Sequence, residues 1–180
     1  SAHQGASLNK LAGHMYLTTE GVFGVPLVVS VSFIYLFVLF GSLLERAGAG
    51  QYFINLAFAL LGKFRGGPAK ASVIASGLTG MVSGSSTANV VTVGTFTIPL
   101  MKKAGLTSTK AGAIEVAAGV NGQLMPPIMG AAAFIIAEFL GLSYTNVMIA
   151  AVIPAFVCYL SLFFIVHLES CKLGLKGMEQ

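Results

Sequence analysis

Aspartate is absent from this 180-residue sequence, and charge of either sign is scarce, with 9% of residues drawn from Asp, Glu, Lys and Arg. The six acids are Glu20, Glu45, Glu115, Glu138, Glu169 and Glu179. Only two cysteines occur, Cys158 and Cys171, which offer no disulfide framework and no CxxC or Cys/His metal spacing. His3, His14 and His167 fall at peripheral positions, and His14 has no second His, Cys or Asp nearby to share a metal. The Ser83 to Ser86 run has no neighbouring base, and no Ser-His-Asp set, Cys-His pair or Gly-rich phosphate loop is present. The chain is therefore expected not to be an enzyme. Its first 20 residues lack an apolar core followed by a small-residue cleavage site, and it begins Ser-Ala-His-Gln without Met. The expectation is an excerpt of a longer polypeptide.

Apolar residues are abundant. A content of 56% hydrophobic residues and a mean hydropathy of +0.86 are those of an integral membrane protein, and the lengths of the apolar segments below make the expected fold class all-α. The net charge of +4 carries no signal for nucleic acid, because the basic residues flank apolar segments and form no patch interleaved with aromatics. They act instead as topology markers in a lipid bilayer.

Residues 1–21 suit an interfacial amphipathic segment, with Leu8, Leu11 and Met15 on one helical face. From Val22 to Leu44 the chain is apolar or small for more than twenty positions, enough to span. After Glu45-Arg46 and the break Gly48-Ala49-Gly50, residues 51–62 read as an interfacial arm helix, completing a unit over 22–62.

Residues 68–101 are the centre of the pattern. Two apolar arms, Ala71 to Val82 and Val90 to Met101, flank the polar run Ser83-Gly84-Ser85-Ser86-Thr87-Ala88-Asn89. A 12-residue arm rises only ~18 Å as a helix, against a hydrocarbon core of ~30 Å. Lys63, Arg65 and Lys70 precede the first arm, and Lys102, Lys103 and Lys110 follow the second, which sets both ends on the cytoplasmic side. These features predict a re-entrant helical hairpin with its tip near the midplane. A polar turn between surface helices, or one long helix with a Gly-Ser kink, is the plainer alternative.

A second break lies in residues 107–141, predicted to be a broken transmembrane helix interrupted at Gly119-Val120-Asn121-Gly122-Gln123-Leu124-Met125-Pro126-Pro127. The tandem prolines lack N–H donors, and Pro126 pushes Met125 toward extended conformations. An ordinary proline kink would explain the prolines, but not Asn121 and Gln123 beside them. Residues 144–168 hold a further spanning helix, and 169–180 a cytoplasmic tail with Lys172 and Lys176 as exit markers. Nine of the ten Lys and Arg residues then fall inside, Lys10 alone dissenting.

Helices that stop or start within the membrane present carbonyls or N–H groups to the break. The second arm is expected to begin near Thr87, and a half-helix near Pro127. Carbonyls with Ser and Asn oxygens suit Na⁺, and N–H ends suit a substrate carboxylate. No carboxylate lies in either break. Glu115 and Glu138 lie nearer the ends of the broken helix, where structural pairing or solvation is expected, with Lys110 within reach of Glu115.

Four stretches carry a family resemblance: Arg65-Gly66-Gly67-Pro68-Ala69-Lys70, Ser83 through Val90, Thr97-Ile98-Pro99-Leu100-Met101, and Gly122-Gln123-Leu124-Met125-Pro126-Pro127-Ile128-Met129-Gly130. Together they resemble the large membrane subunit of TRAP (tripartite ATP-independent periplasmic) transporters, most of all the fused-permease type that works with TAXI-class solute-binding proteins. The resemblance covers Leu8 to about Tyr144. It implies half of an elevator-type secondary transporter in a bacterial or archaeal cytoplasmic membrane, importing organic acids with Na⁺. The implied partners are an extracytoplasmic solute-binding protein, the remaining half of the permease, and a small membrane subunit or its fused equivalent.

By position, Ser83, Gly84, Ser85, Ser86, Asn89, Gly119, Asn121 and Gly122 are the expected Na⁺ site. Ser85, Ser86, Thr87, Asn121, Gln123, Pro126 and Pro127 are expected to contact substrate. Several family members carry Asp where this chain has Asn89. Only one hairpin and one broken helix are present, so the second repeat and half of the substrate site are missing. A channel-like pore, since re-entrant loops also build selectivity filters, and a purely structural membrane module are the competing classes.

Overall fold

The computed structural model describes residues 5–175 and 177. His3, Lys176 and Glu179 lie outside the described residues, so the expectations for His3 and for the end of the tail have no structural counterpart. Among the described residues every regular element is a helix.

Helix α1 (Leu8–Leu17) starts where the Ser7 hydroxyl accepts the Lys10 N–H, and none of its residues is buried. Helix α2 (Val25–Val29), a π turn at Ser30–Ile34 and helix α3 (Tyr35–Arg46) run on as one 22-residue rod. Its mean hydropathy is 2.5, and it rises ~33 Å, enough to cross a bilayer. Gly48, in the left-handed region, turns the chain into α4 (Ala49–Leu61). The last helix, α9 (Tyr144–Lys172), has 29 residues and a mean hydropathy of 2.6, with the Ser143 hydroxyl capping the Asn146 N–H. In these two rods only 11% and 22% of the most apolar stretch is buried, the reverse of a soluble core helix. Phe40, Leu43, Ile153, Phe156, Phe164 and Ile165 point outward.

Helices α5 (Gly67–Ser83) and α6 (Ser86–Lys103) form an antiparallel hairpin. Twelve of the 17 residues of α5 are buried, nine of them Gly, Ala, Ser or Thr. Small side chains let neighbouring helices approach closely, which suits α5 to the centre of the bundle. One side packs on α4 and α6 through Ala71, Ala75, Ile54, Ala57 and Val93. The other joins α7 (Ser108–Asn121) and α9 through Ala69, Val73, Ala118, Tyr159 and Val166. Lys70, one of the predicted cytoplasmic markers, has its stem buried against α9, with Nζ 5.8 Å from the Phe163 ring centroid.

The arms are longer than the 12-residue apolar runs. With 17 and 18 residues they rise ~25 and ~27 Å. Gly67, Pro68 and Lys70 at one end and Lys102-Lys103 at the other are helical rather than loop. Pro68 fits because a first-turn N–H has no partner to lose, and two lysines suit a helix C-terminus.

Candidate functional site

The hairpin turns on two residues. Gly84 adopts φ 60° and donates its N–H to the Gly80 carbonyl at 3.1 Å, closing α5. Ser85 is extended and caps α6, its Oγ accepting the Ala88 N–H at 3.3 Å. Ser83 lies on the inner side of this turn, its Oγ 3.5 Å from the Ser85 carbonyl. The positive end of the α6 dipole therefore sits at Ser85, Ser86 and Thr87.

Asn89, one turn into α6, braces the two arms. Its Nδ2 donates to the Ser76 carbonyl at 2.8 Å, while its Oδ1 is buried with no partner among the described residues. Thr79 Oγ1 on α5 is a second buried acceptor without a partner. Such groups are uncommon inside folded proteins and mark places where water or an ion completes the coordination.

The second break follows α7. A single 3₁₀ turn, Gly122–Leu124, ends at Met125 in the β region, and the Pro126-Pro127 peptide is cis. Helix α8 (Ala131–Leu140) starts at Ala131, four residues beyond the expected start at Pro127. Two prolines without N–H groups and Met129 at φ 54° cannot close helical hydrogen bonds, which accounts for the delay. Several carbonyls around the break already have donors. Gly130 N–H reaches Gln123 O at 2.8 Å, Tyr159 Oη reaches Ala118 O at 2.8 Å, and Tyr144 Oη reaches Pro127 O at 2.8 Å and Ile128 O at 2.5 Å.

The fold brings the two breaks into contact. Gln123 Nε2 donates to Ser86 Oγ at 2.9 Å. A Cβ on Gly80 would stand 2.5 Å from Gly122 Cα, so hairpin and broken helix touch backbone to backbone. Gly119 packs on Val90 and faces the Ser86 carbonyl. Ser83, Gly84 and Ser85 share a cavity of about 250 Å³ with Ile128, Met129 and Phe134. Thr87 is exposed on the first turn of α6. Asn121 is half-buried, with no side-chain hydrogen bond among those of the described residues, and Pro126 and Pro127 line the outer side of the break.

Glu115 departs from expectation. Lys110 pairs with Glu169 on α9 instead. Glu115 is fully buried between α5, α6 and α7, within hydrogen-bond distance of Ser72, Ser76 and Thr97. None of those three was singled out in the sequence, although Ser72 and Ser76 at i and i+4 lie on one face of the arm. Tyr144 and Tyr159 were also missed. A phenol in an apolar segment needs a partner for its hydroxyl, and that was their available signal.

Among the described residues no three of His, Cys and Glu group as metal ligands. The described residues form an all-helical membrane-type bundle in which two helix breaks touch. The family model for the DctM component of tripartite ATP-independent periplasmic transporters matches residues 3–180, and the chain belongs to that family. It is 34% identical over 125 residues to the C4-dicarboxylate TRAP transporter large permease protein DctM of Vibrio cholerae, covering 69% of this chain and 26% of that protein. It is 37% identical over 91 residues to the Rhodobacter capsulatus protein of the same name, covering 51% and 21%. The isethionate TRAP transporter permease protein DctMQ of Oleidesulfovibrio alaskensis is 34% identical over 91 residues, covering 51% and 14%. The chain thus spans about a third or less of the relatives it matches. It is part of a transporter permease and not an enzyme.

Proposed function

We propose that this chain is the first repeat of a Na⁺-coupled, elevator-type permease for small organic acids, in a bacterial or archaeal cytoplasmic membrane. The hairpin is re-entrant, and its tip together with the α7–α8 break forms half of the ion and substrate site. An extracytoplasmic solute-binding protein, of the TAXI class by the residue resemblance, delivers the substrate. The second repeat supplies the other half of the site, and a small membrane subunit or fused equivalent completes the permease.

The observation that carries this reading is the Gln123–Ser86 hydrogen bond, which joins the two breaks into one polar locus in an apolar bundle. The buried, unpartnered Oδ1 of Asn89 fits a hard monovalent cation. In this reading Ser83, Gly84, Ser85, Ser86, Gly119, Asn121 and Gly122 are the residues that would supply the remaining hydroxyl, amide or carbonyl oxygens to the ion. The N-terminus of α6 favours an anion, and Ser85, Ser86 and Thr87 stand there, with Asn121, Gln123, Pro126 and Pro127 across the contact. Relatives named for C4-dicarboxylate and isethionate agree with an anionic substrate.

The test is uptake into proteoliposomes containing the full polypeptide and its binding protein, driven by an inward Na⁺ gradient. Saturable uptake that collapses when K⁺ replaces Na⁺ is expected. Uptake indifferent to the cation, or single-channel currents, would overturn the proposal.

A further inference from the structure

Glu115 lies in the hairpin–α7 interface, seven residues before the 3₁₀ turn that begins at Gly122. Ser72 Oγ lies 2.5 Å from its Oε2, Thr97 Oγ1 2.6 Å from the same oxygen, and Ser76 Oγ 3.3 Å from Oε1. Its stem packs on Gly94, where a Cβ would stand 3.1 Å from Glu115 Cγ. One carboxyl group thereby touches both arms of the hairpin.

The contacts of Thr97 favour a protonated carboxyl. Thr97 Oγ1 is 3.0 Å from the Val93 carbonyl as well as 2.6 Å from Glu115 Oε2. A threonine hydroxyl has a single hydrogen, and both neighbours are acceptors if Glu115 is ionised. That single hydrogen would then be shared between two acceptors, as the Tyr144 hydroxyl hydrogen is between the Pro127 and Ile128 carbonyls, whereas a proton on Oε2 gives each contact at Thr97 its own hydrogen. If Oε2 carries a proton, it donates to Thr97 Oγ1, and Thr97 donates to Val93. Oε2 keeps lone-pair capacity for the Ser72 hydroxyl, and Oε1 accepts from Ser76.

The surrounding charges point the same way. Among the described residues the ion pairs are His14–Glu20 and Lys110–Glu169, so Glu115 has none. Lys70, on α5, is directed to Phe163, and Tyr159, from α9, spends its hydroxyl hydrogen on the Ala118 carbonyl. Lys102 and Lys103 lie in the last turn of α6, beyond Thr97. A buried carboxylate facing only hydroxyl groups has no countercharge.

We propose that Glu115, with Thr97, Ser72 and Ser76, is a proton-binding site that holds the hairpin against α7. Its ligand is H⁺, carried on Glu115 Oε2 and donated to Thr97. Losing the proton leaves an unpaired buried charge facing only hydroxyl groups, which favours a parted interface that admits water. The site needs no part of the Na⁺ reading, and it stands or falls separately from it.

The experiment is infrared difference spectroscopy of the membrane-reconstituted full polypeptide, wild type against Glu115→Gln, at neutral pH. A protonated carboxylic-acid carbonyl band in the wild type that is missing from the variant is expected. Glutamine places an amide N–H where the acid O–H stands, so Glu115→Gln should also unfold at the wild-type temperature. The absence of a Glu115-dependent acid band would overturn the proposal. A Glu115→Gln protein that fails to fold would count against it, because glutamine reproduces the donation to Thr97 and the Ser72 hydroxyl can turn to accept the second amide hydrogen, whereas an ionised carboxylate accepting from Thr97 has no glutamine counterpart.

Discussion

Gly84 and Met129, both in the left-handed region of backbone space, face each other where the hairpin tip meets the broken helix. A Cβ on Gly84 would stand 2.3 Å from the Met129 carbonyl oxygen. The contact is backbone to backbone, so no side-chain rotation relieves a substitution.

Gly84→Ala should therefore combine two penalties. Alanine at φ 60° costs ~1–2 kcal/mol on its own, and the clash forces the tip away from the break. Gly141 has φ 61° with nothing within 4 Å, so Gly141→Ala isolates the conformational part. Thermal unfolding of the full polypeptide should rank Gly84→Ala well below Gly141→Ala. Equal losses would show that the tip does not press on the break.

Asn89 links stability to the ion. In Na⁺-free solution, Asn89→Ala removes the brace to Ser76 and should cost ~0.5–1.5 kcal/mol. Saturating Na⁺ stabilises only a protein that binds it. The gap between wild type and variant should widen as Na⁺ is titrated in, at ionic strength held constant with K⁺. A constant gap would remove Asn89 from the ion site.

Tyr144 ties the start of α9 to the break in two ways. Its ring stacks on Phe134, centroids 4.3 Å apart and 3° from parallel, and its hydroxyl binds the Pro127 and Ile128 carbonyls. Tyr144→Phe keeps the stack and should lose ~0.5–1.5 kcal/mol. Tyr144→Ala loses both and should cost ~3–5 kcal/mol. Denaturation in detergent would separate the two contributions.

The Lys110–Glu169 pair joins α7 to α9 at half-exposed positions, with 42% and 28% of the two side chains accessible. A double-mutant cycle should give a coupling below ~1 kcal/mol that fades in high salt. A larger, salt-insensitive coupling would mean that the pair is shielded from water.

Much of this arrangement was legible in the residues. Glycine, proline and amides inside apolar runs marked the two breaks, because nothing else explains polar and helix-breaking residues there. The first arm's start near Pro68 was legible, because proline suits a first helical turn. The end of the second arm was less so: Lys102 and Lys103 lie past the apolar run, yet they satisfy the needs of a last helical turn. The start of α8 was missed because Met129 adopts a left-handed conformation that its side chain does not advertise. Glu115 was assigned to Lys110 by proximity in sequence. Its real partners, Ser72, Ser76 and Thr97, lie 43, 39 and 18 residues away and meet it only through the packing of the hairpin on α7.

The central claim is that the tip and the break form one half of a Na⁺ site. It is tested most directly by the Na⁺ dependence of solute uptake in the reconstituted full polypeptide, comparing wild type with Ser85→Ala, Asn89→Ala and Asn121→Ala. Each variant should raise the Na⁺ concentration for half-maximal uptake, on the order of tenfold for a lost ligand worth about 1.4 kcal/mol. Half-maximal Na⁺ concentrations unchanged in all three variants would contradict it.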